Sequence, residues 1–112
     1  MVYWIYILTN KRNITFYIGM TSNPLLEISA HQRAEGSEFT RKYGLHKLVY
    51  MEEIRNPYAA IDRENQLNGW ARSRCELLVA AVNPRWDEID LLHITGHEMS
   101  PRYLIPHQGP LD

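Results

Sequence analysis

The sequence predicts an α+β domain built on a small mixed three-stranded sheet. Three observations carry this. Two runs of β-branched and aromatic residues stand close together near the N-terminus. A third such run follows after a helical segment. Two Asn-Pro pairs mark sharp helix starts. The order reads hairpin, helix, strand, two helices, with the helices packed on the sheet.

Residues 2–8, VYWIYIL, are apolar on both faces and read as a strand covered on both sides. The polar turn TNKRN leads into residues 14–20, ITFYIGM, a second strand close enough to form a hairpin. Gly19 near its end signals a bulge or a close backbone approach. Asn23 and Pro24 start a helix over 24–33, with Leu25, Ile28 and one of Leu26 or Ser29 facing inward. Residues 34–45 are polar, contain Gly36 and Gly44, and read as a loop. HKLVYMEE, 46–53, is the third strand. Asn56-Pro57 opens a second helix, 57–69, which Gly69 weakens or ends. A third helix covers 72–82, and Asn83-Pro84 closes it. Residues 86–92 read as one more short turn. From His93 Gly and Pro recur and periodicity is lost, so the division is a domain at 1–92 and a tail at 93–112.

With 112 residues, 45% hydrophobic and 22% charged, the chain has ordinary globular composition for one domain. No apolar run approaches the ~20 residues of a membrane span, and the N-terminus lacks the marks of a signal peptide. The lone cysteine, Cys75, excludes an internal disulfide framework and a four-cysteine zinc site. A reducing, cytoplasmic setting is the expectation. Net charge is −1, but residues 1–86 carry a net +3 and residues 87–112 a net −4. A mildly basic body with an acidic tail is one reading of this, and chance scatter is the other.

Candidate chemistry begins with Tyr6 and Tyr17, which a hairpin can bring together. Buried phenols need hydrogen-bond partners, and either residue can equally be a core aromatic. Glu64 falls three or four residues from Ala60, Ile61 and Leu67 and seven from Ala71, inside the apolar stripe of its helix. A carboxylate there requires a metal or a structural salt bridge, and the pattern leaves both open. Arg41, Lys42, Arg72 and Arg74, with Tyr43 and Trp70, form either a nucleic-acid surface or a solvated charged face. His93 and His97 have a metal-ligand spacing, against which Gly96 and the loop-like context weigh. Trp70 and Trp86 read as core anchors.

The series W-I-Y (4–6), Y-I-G (17–19) followed by M-T, His31, F-T-R-K-Y-G (39–44), L-V-Y-M-E-E (48–53), A-I-D-R-E-N-Q-L-N-G-W (60–70) and N-P-R-W (83–86) resembles a GIY-YIG nuclease domain. The likeness is to the short stand-alone subfamily related to the excinuclease nuclease domain, over residues 2–92. The resemblance implies a metal-dependent endonuclease that hydrolyses phosphodiester bonds in DNA. It implies that Tyr6 activates or positions the attacking water and that Tyr17 hydrogen-bonds in the same site. Glu64 would hold one Mg²⁺ or Mn²⁺, with His31 on the first helix and Asn83 late in the domain completing the set. One position departs from the pattern. Glu27 stands where the family carries an arginine on the first helix, and a carboxylate there repels a phosphate that the arginine would clamp. The family's usual lysines near Asn65 and Asn68 are also absent. Three functions follow: an endonuclease impaired by Glu27, a catalytically silent nucleic-acid-binding module, or a protein-interaction domain.

Overall fold

The computed structural model describes residues 2–91. Strand β1 (Tyr3–Thr9) lies in the middle of the sheet, between β2 (Phe16–Thr21) and β3 (Lys47–Ile54). Helix α1 (Pro24–Gln32) and a short helix α2 (Glu38–Tyr43) connect β2 to β3. Helices α3 (Pro57–Asn68) and α4 (Arg72–Val82) follow. Both ladders are antiparallel. The sheet expected to be mixed therefore contains no parallel pair. The outer strands β2 and β3 do run in the same direction, but β1 separates them.

The central strand is covered on both sides, as its unbroken apolar run requires. Trp4, Tyr6 and Leu8 face a core shared with Ile28, Leu45, Leu48, Met51, Ile89 and Leu91. Ile5 and Ile7 face the other way, toward Ala60 and Leu67 of α3 and Val79 of α4. Register places Tyr6 opposite Gly19 on β2 and Met51 on β3. It shifts between Ile7 and Leu8, whose partners Tyr50 and Leu48 leave Val49 as the extra residue.

Both Asn-Pro starts are present. Asn23 accepts from Leu26 N–H at 3.2 Å, and Asn56 from Tyr58 and Ala59 N–H at 2.8 and 3.0 Å. Two expectations need correcting. Residues 34–45 are not all loop, because Ser37 caps α2 by accepting from Thr40 N–H at 3.2 Å. Gly44 ends that helix with φ 65°, a left-handed conformation that glycine adopts without strain. On α1, Leu25 and Leu26 are exposed while Ile28 and His31 are buried. The helix rolls so that His31, three residues after Ile28, turns toward Tyr6.

Charge also enters the core where the apolar stripe did not indicate it. Arg63 is buried and donates to Glu52 through Nε (2.7 Å) and Nη2 (2.9 Å). Tyr50 donates to the same carboxylate at 2.7 Å. No helix among the described residues is long and apolar enough to cross a membrane. The expected tail, with His93 and His97, lies outside the described residues.

Candidate active site

The hairpin and α1 build the site together. Tyr6 points from β1 onto the α1 side of the sheet, and Tyr17 stands beside it on β2. Their ring centroids are 6.2 Å apart. His31 closes the triangle, 6.0 Å from Tyr6 and 5.4 Å from Tyr17. Gly19 permits this packing, since a Cβ there would lie 2.4 Å from the Tyr6 hydroxyl. The close backbone approach expected at Gly19 is thus toward a ring of the site.

Hydrogen bonds link these groups in a chain. The Tyr6 hydroxyl donates to Glu27 Oε2 in a short contact and lies 3.1 Å from His31 Nε2. Tyr6 has one proton and gives it to Glu27, so the Nε2 hydrogen bond requires the proton on His31. Nδ1 of the neutral ring lies 3.0 Å from Thr40 Oγ1, whose hydroxyl donates to Ser37 O at 3.0 Å. Burial lowers the His31 pKa, which favours that neutral form, and the nearby Glu27 charge partly opposes it.

The environment of the phenols is apolar and negative. Burial, reinforced by Glu27, raises the Tyr6 pKa far above the usual phenol range. Tyr17 is raised by burial and by the charges of Glu27 and Glu64. Both are hydroxyl donors at neutral pH. Glu64 is half-buried on α3, and its pKa is raised by burial and then by Glu27. The two carboxylates thus feel one another across the site. The buried arginine of α3 does not occupy Glu64, because Arg63 is bound to Glu52. A surface cavity of about 330 Å³ opens beside these groups, lined by Tyr17, Glu27, Ala30, His31, Glu35, Gly36 and Ser37.

The remaining expected residues divide. Asn83 lies in neither the Tyr6 network nor the cavity lining. Its amide donates to Val49 O (3.0 Å) and Asp87 O (2.9 Å) and accepts from Asp87 N–H. It ties the end of α4 to the irregular register position of β3, a structural task. Arg72 is also engaged within the fold. It donates to the carbonyls of Asn13 and Ile14, pairs with Glu76 at 3.1 Å, and lies over the Phe16 ring. Arg74 stacks on Trp70 at 4.2 Å, with Arg63 also near that ring at 5.2 Å. Arg41, Lys42 and Tyr43 are exposed on α2.

Phe39, Gly36 and Thr40, to which the sequence pattern assigns no site role, adjoin or hold the site. Phe39 and Tyr43, four residues apart, become a legible pair once Ser37 is seen as a helix cap.

Among the described residues no group of three or more His, Cys, Asp or Glu side chains forms a metal cage. The oxygen donors present suit a hard cation that keeps most of its waters and takes one carboxylate.

Residues 2–76 match the family model described as the GIY-YIG catalytic domain. A UPF0213 protein of Natronomonas pharaonis is 33% identical over 66 residues, spanning 59% of this chain and 78% of that protein. A UPF0213 protein of Limosilactobacillus reuteri is 36% identical over 64 residues, spanning 55% and 66%. The solution NMR structure of a UPF0213 protein from Bacillus halodurans aligns with a TM-score of 0.52 at 23% identity. That alignment covers 89% of this chain and all of that one, a likeness of fold.

Proposed function

The chain belongs to the GIY-YIG catalytic-domain family, a nuclease family acting on DNA and generally dependent on a divalent metal, and from that premise we propose that it is a slow metal-dependent DNA endonuclease. The observation that carries this reading is the meeting of the Tyr6, Tyr17 and His31 rings, with Tyr17 and His31 lining one cavity over buried Tyr6 and the Glu64 charge raising the Tyr17 pKa.

Glu64 would hold the Mg²⁺ or Mn²⁺. When bound, the metal would stabilise the negative charge that develops on the phosphoryl oxygens. Tyr17, a protonated phenol on the half-buried side, donates a hydrogen bond to a phosphoryl oxygen. Tyr6 orients the attacking water. His31 fixes the phenol oxygen and Glu27 accepts its hydrogen bond, so the phenol has one orientation. Thr40 in turn fixes the imidazole. Glu27 also accounts for the slowness. It adds negative charge where the reaction needs positive charge, and losing one preorganised donor typically costs about 10²–10³ in rate. Buried Cys75, a free thiol, suits the reducing cytoplasmic setting of this reading.

Nicking of supercoiled plasmid across a Mg²⁺ and Mn²⁺ titration tests the proposal. Wild type should nick slowly and only with metal. Glu64→Gln should lose the activity while circular dichroism stays unchanged. Undiminished cleavage by Glu64→Gln would remove the metal role. A second reading, a silent DNA-binding module, is favoured by the bond that commits the Tyr6 proton to Glu27. Salt-dependent DNA binding without nicking under any metal would select it.

A further inference from the structure

Four aromatic rings run in sequence from the interior of the site to the surface. Tyr6 is fully buried and touches Tyr17. Tyr17 lies 6.4 Å from Phe39, and Phe39 lies 4.9 Å from Tyr43. The last two are 46% and 45% exposed. Other exposed apolar side chains, such as Leu77 and Tyr58, have no such ring continuity with the site. Two large rings left half in water, touching each other and a residue of the site, are an unsatisfied apolar surface.

We propose that Phe39 and Tyr43 form a stacking platform for an unpaired nucleobase, so that the preferred substrate is DNA with a single-stranded nucleotide beside the scissile phosphate. The inference rests on the nuclease reading for the position of that phosphate. Charge supports the choice of partner. Arg41 and Lys42 lie in the last turn of the same helix, with Lys42 Nζ 5.4 Å from the Tyr43 ring. Glu38 stands at the opposite, N-terminal end. Ring faces next to cations match a base next to its phosphates. A duplex gains little here, because its bases are already stacked on one another. Only an unpaired or extruded base has a free face to offer.

Fluorescence anisotropy in EDTA, where no metal-dependent cleavage occurs, tests this with a single-stranded oligonucleotide and a blunt duplex of the same length. Wild type should bind the single strand more tightly. Tyr43→Ala and Tyr43→Leu should weaken single-strand binding roughly five- to 150-fold while leaving duplex binding unchanged. Tyr43→Trp should restore it. The fluorescence of a 2-aminopurine base should be quenched by wild type and not by Tyr43→Leu. Arg41→Ala should weaken both ligands and reduce the salt slope by about one.

Equal or tighter binding of duplex overturns the inference. So does a Tyr43→Leu protein that binds the single strand within about two-fold of wild type, a change below the range for one lost stack. Failure of the nuclease reading looks different. Single-strand preference with stacking, but no cleavage under any metal, keeps the platform and removes the nuclease. Metal-dependent nicking of duplex with no single-strand preference does the reverse.

Discussion

The backbone of Gly36 lies against the His31 ring so closely that a Cβ there would sit 2.0 Å from Nδ1. That leaves no room for any side chain. Gly19 bears the same relation to Tyr6. Two residues central to the site are thus held in place by glycines, one across the β1–β2 ladder and one in the segment between α1 and α2.

Gly36→Ala should push the imidazole off Thr40 and toward solvent. The His31 pKa, lowered chiefly by burial, should then rise toward its ordinary value. An NMR titration of the His31 ring protons measures this directly, and any nicking activity should fall with it. An unchanged His31 titration would mean that the loop yields and the ring does not.

Stability should depend on pH through the same residue. A folded-state pKa below the ordinary 6.5 means that the unfolded chain takes the proton first. The contribution is complete above pH 6.5 and is lost as pH falls toward the lowered folded value. Glu64 is raised from 4.5 and works in the opposite sense as pH rises from there. The clean measurement is therefore the difference between wild type and His31→Gln, in which Glu64 cancels. Thermal melts from pH 8 down to pH 5 should show wild type losing Tm more steeply. Parallel curves would assign the acid loss to other groups.

The Arg63–Glu52 pair carries a separate prediction about the fold. Both side chains are almost wholly buried, so removing one leaves the other charge without its main partner. Arg63→Met should cost about 3–5 kcal/mol in urea unfolding. Replacing the network together, as Tyr50→Phe, Glu52→Leu and Arg63→Met, should recover most of that loss. A triple variant no more stable than Arg63→Met would show that the ion pair itself, and not the orphaned charge, holds the core.

Much of the fold was legible because apolar pattern and caps agree locally. β1 reads as buried on both faces and is so, and both Asn-Pro pairs start helices. The short α2 was hidden because six residues rich in charge show no apolar period, and only the Ser37 cap marks it. The site was legible as a set of residue types but not as a network. The apolar pattern puts Glu64 inside the stripe of α3, whereas the helix turns Arg63 inward and leaves Glu64 at the margin. Nothing in the residues near position 63 signals its partner Glu52, because that contact is made across to β3. The family resemblance makes Glu27 an acid where an arginine would clamp a phosphate. That Tyr6 donates to it depends on how α1 rolls, which Ile28 and His31 decide together.

Glu27 yields the prediction most particular to this chain. Its carboxylate accepts from Tyr6 and raises the pKa of Tyr17 and of Glu64. One negative charge therefore does two things: it orients the phenol and disfavours ionisation of the proposed metal ligand. The substitutions separate these effects. Glu27→Gln keeps an oxygen acceptor for Tyr6 but removes the charge. The Glu64 pKa should then fall toward its ordinary value, and metal-dependent nicking should extend to lower pH. Glu27→Arg removes the acceptor and supplies the cation that phosphoryl transfer favours. It should raise nicking by about ten-fold or more, a modest figure against the 10²–10³ typical of one preorganised donor. The expected order of rates is Arg, then Gln, then Glu, compared across a magnesium titration on supercoiled plasmid. Isothermal titration with Mn²⁺ on the same three proteins completes the comparison. If Glu27→Arg shows no gain at any metal concentration and binds Mn²⁺ more weakly than wild type, the carboxylate is itself part of the metal site. The missing-arginine account would then be wrong.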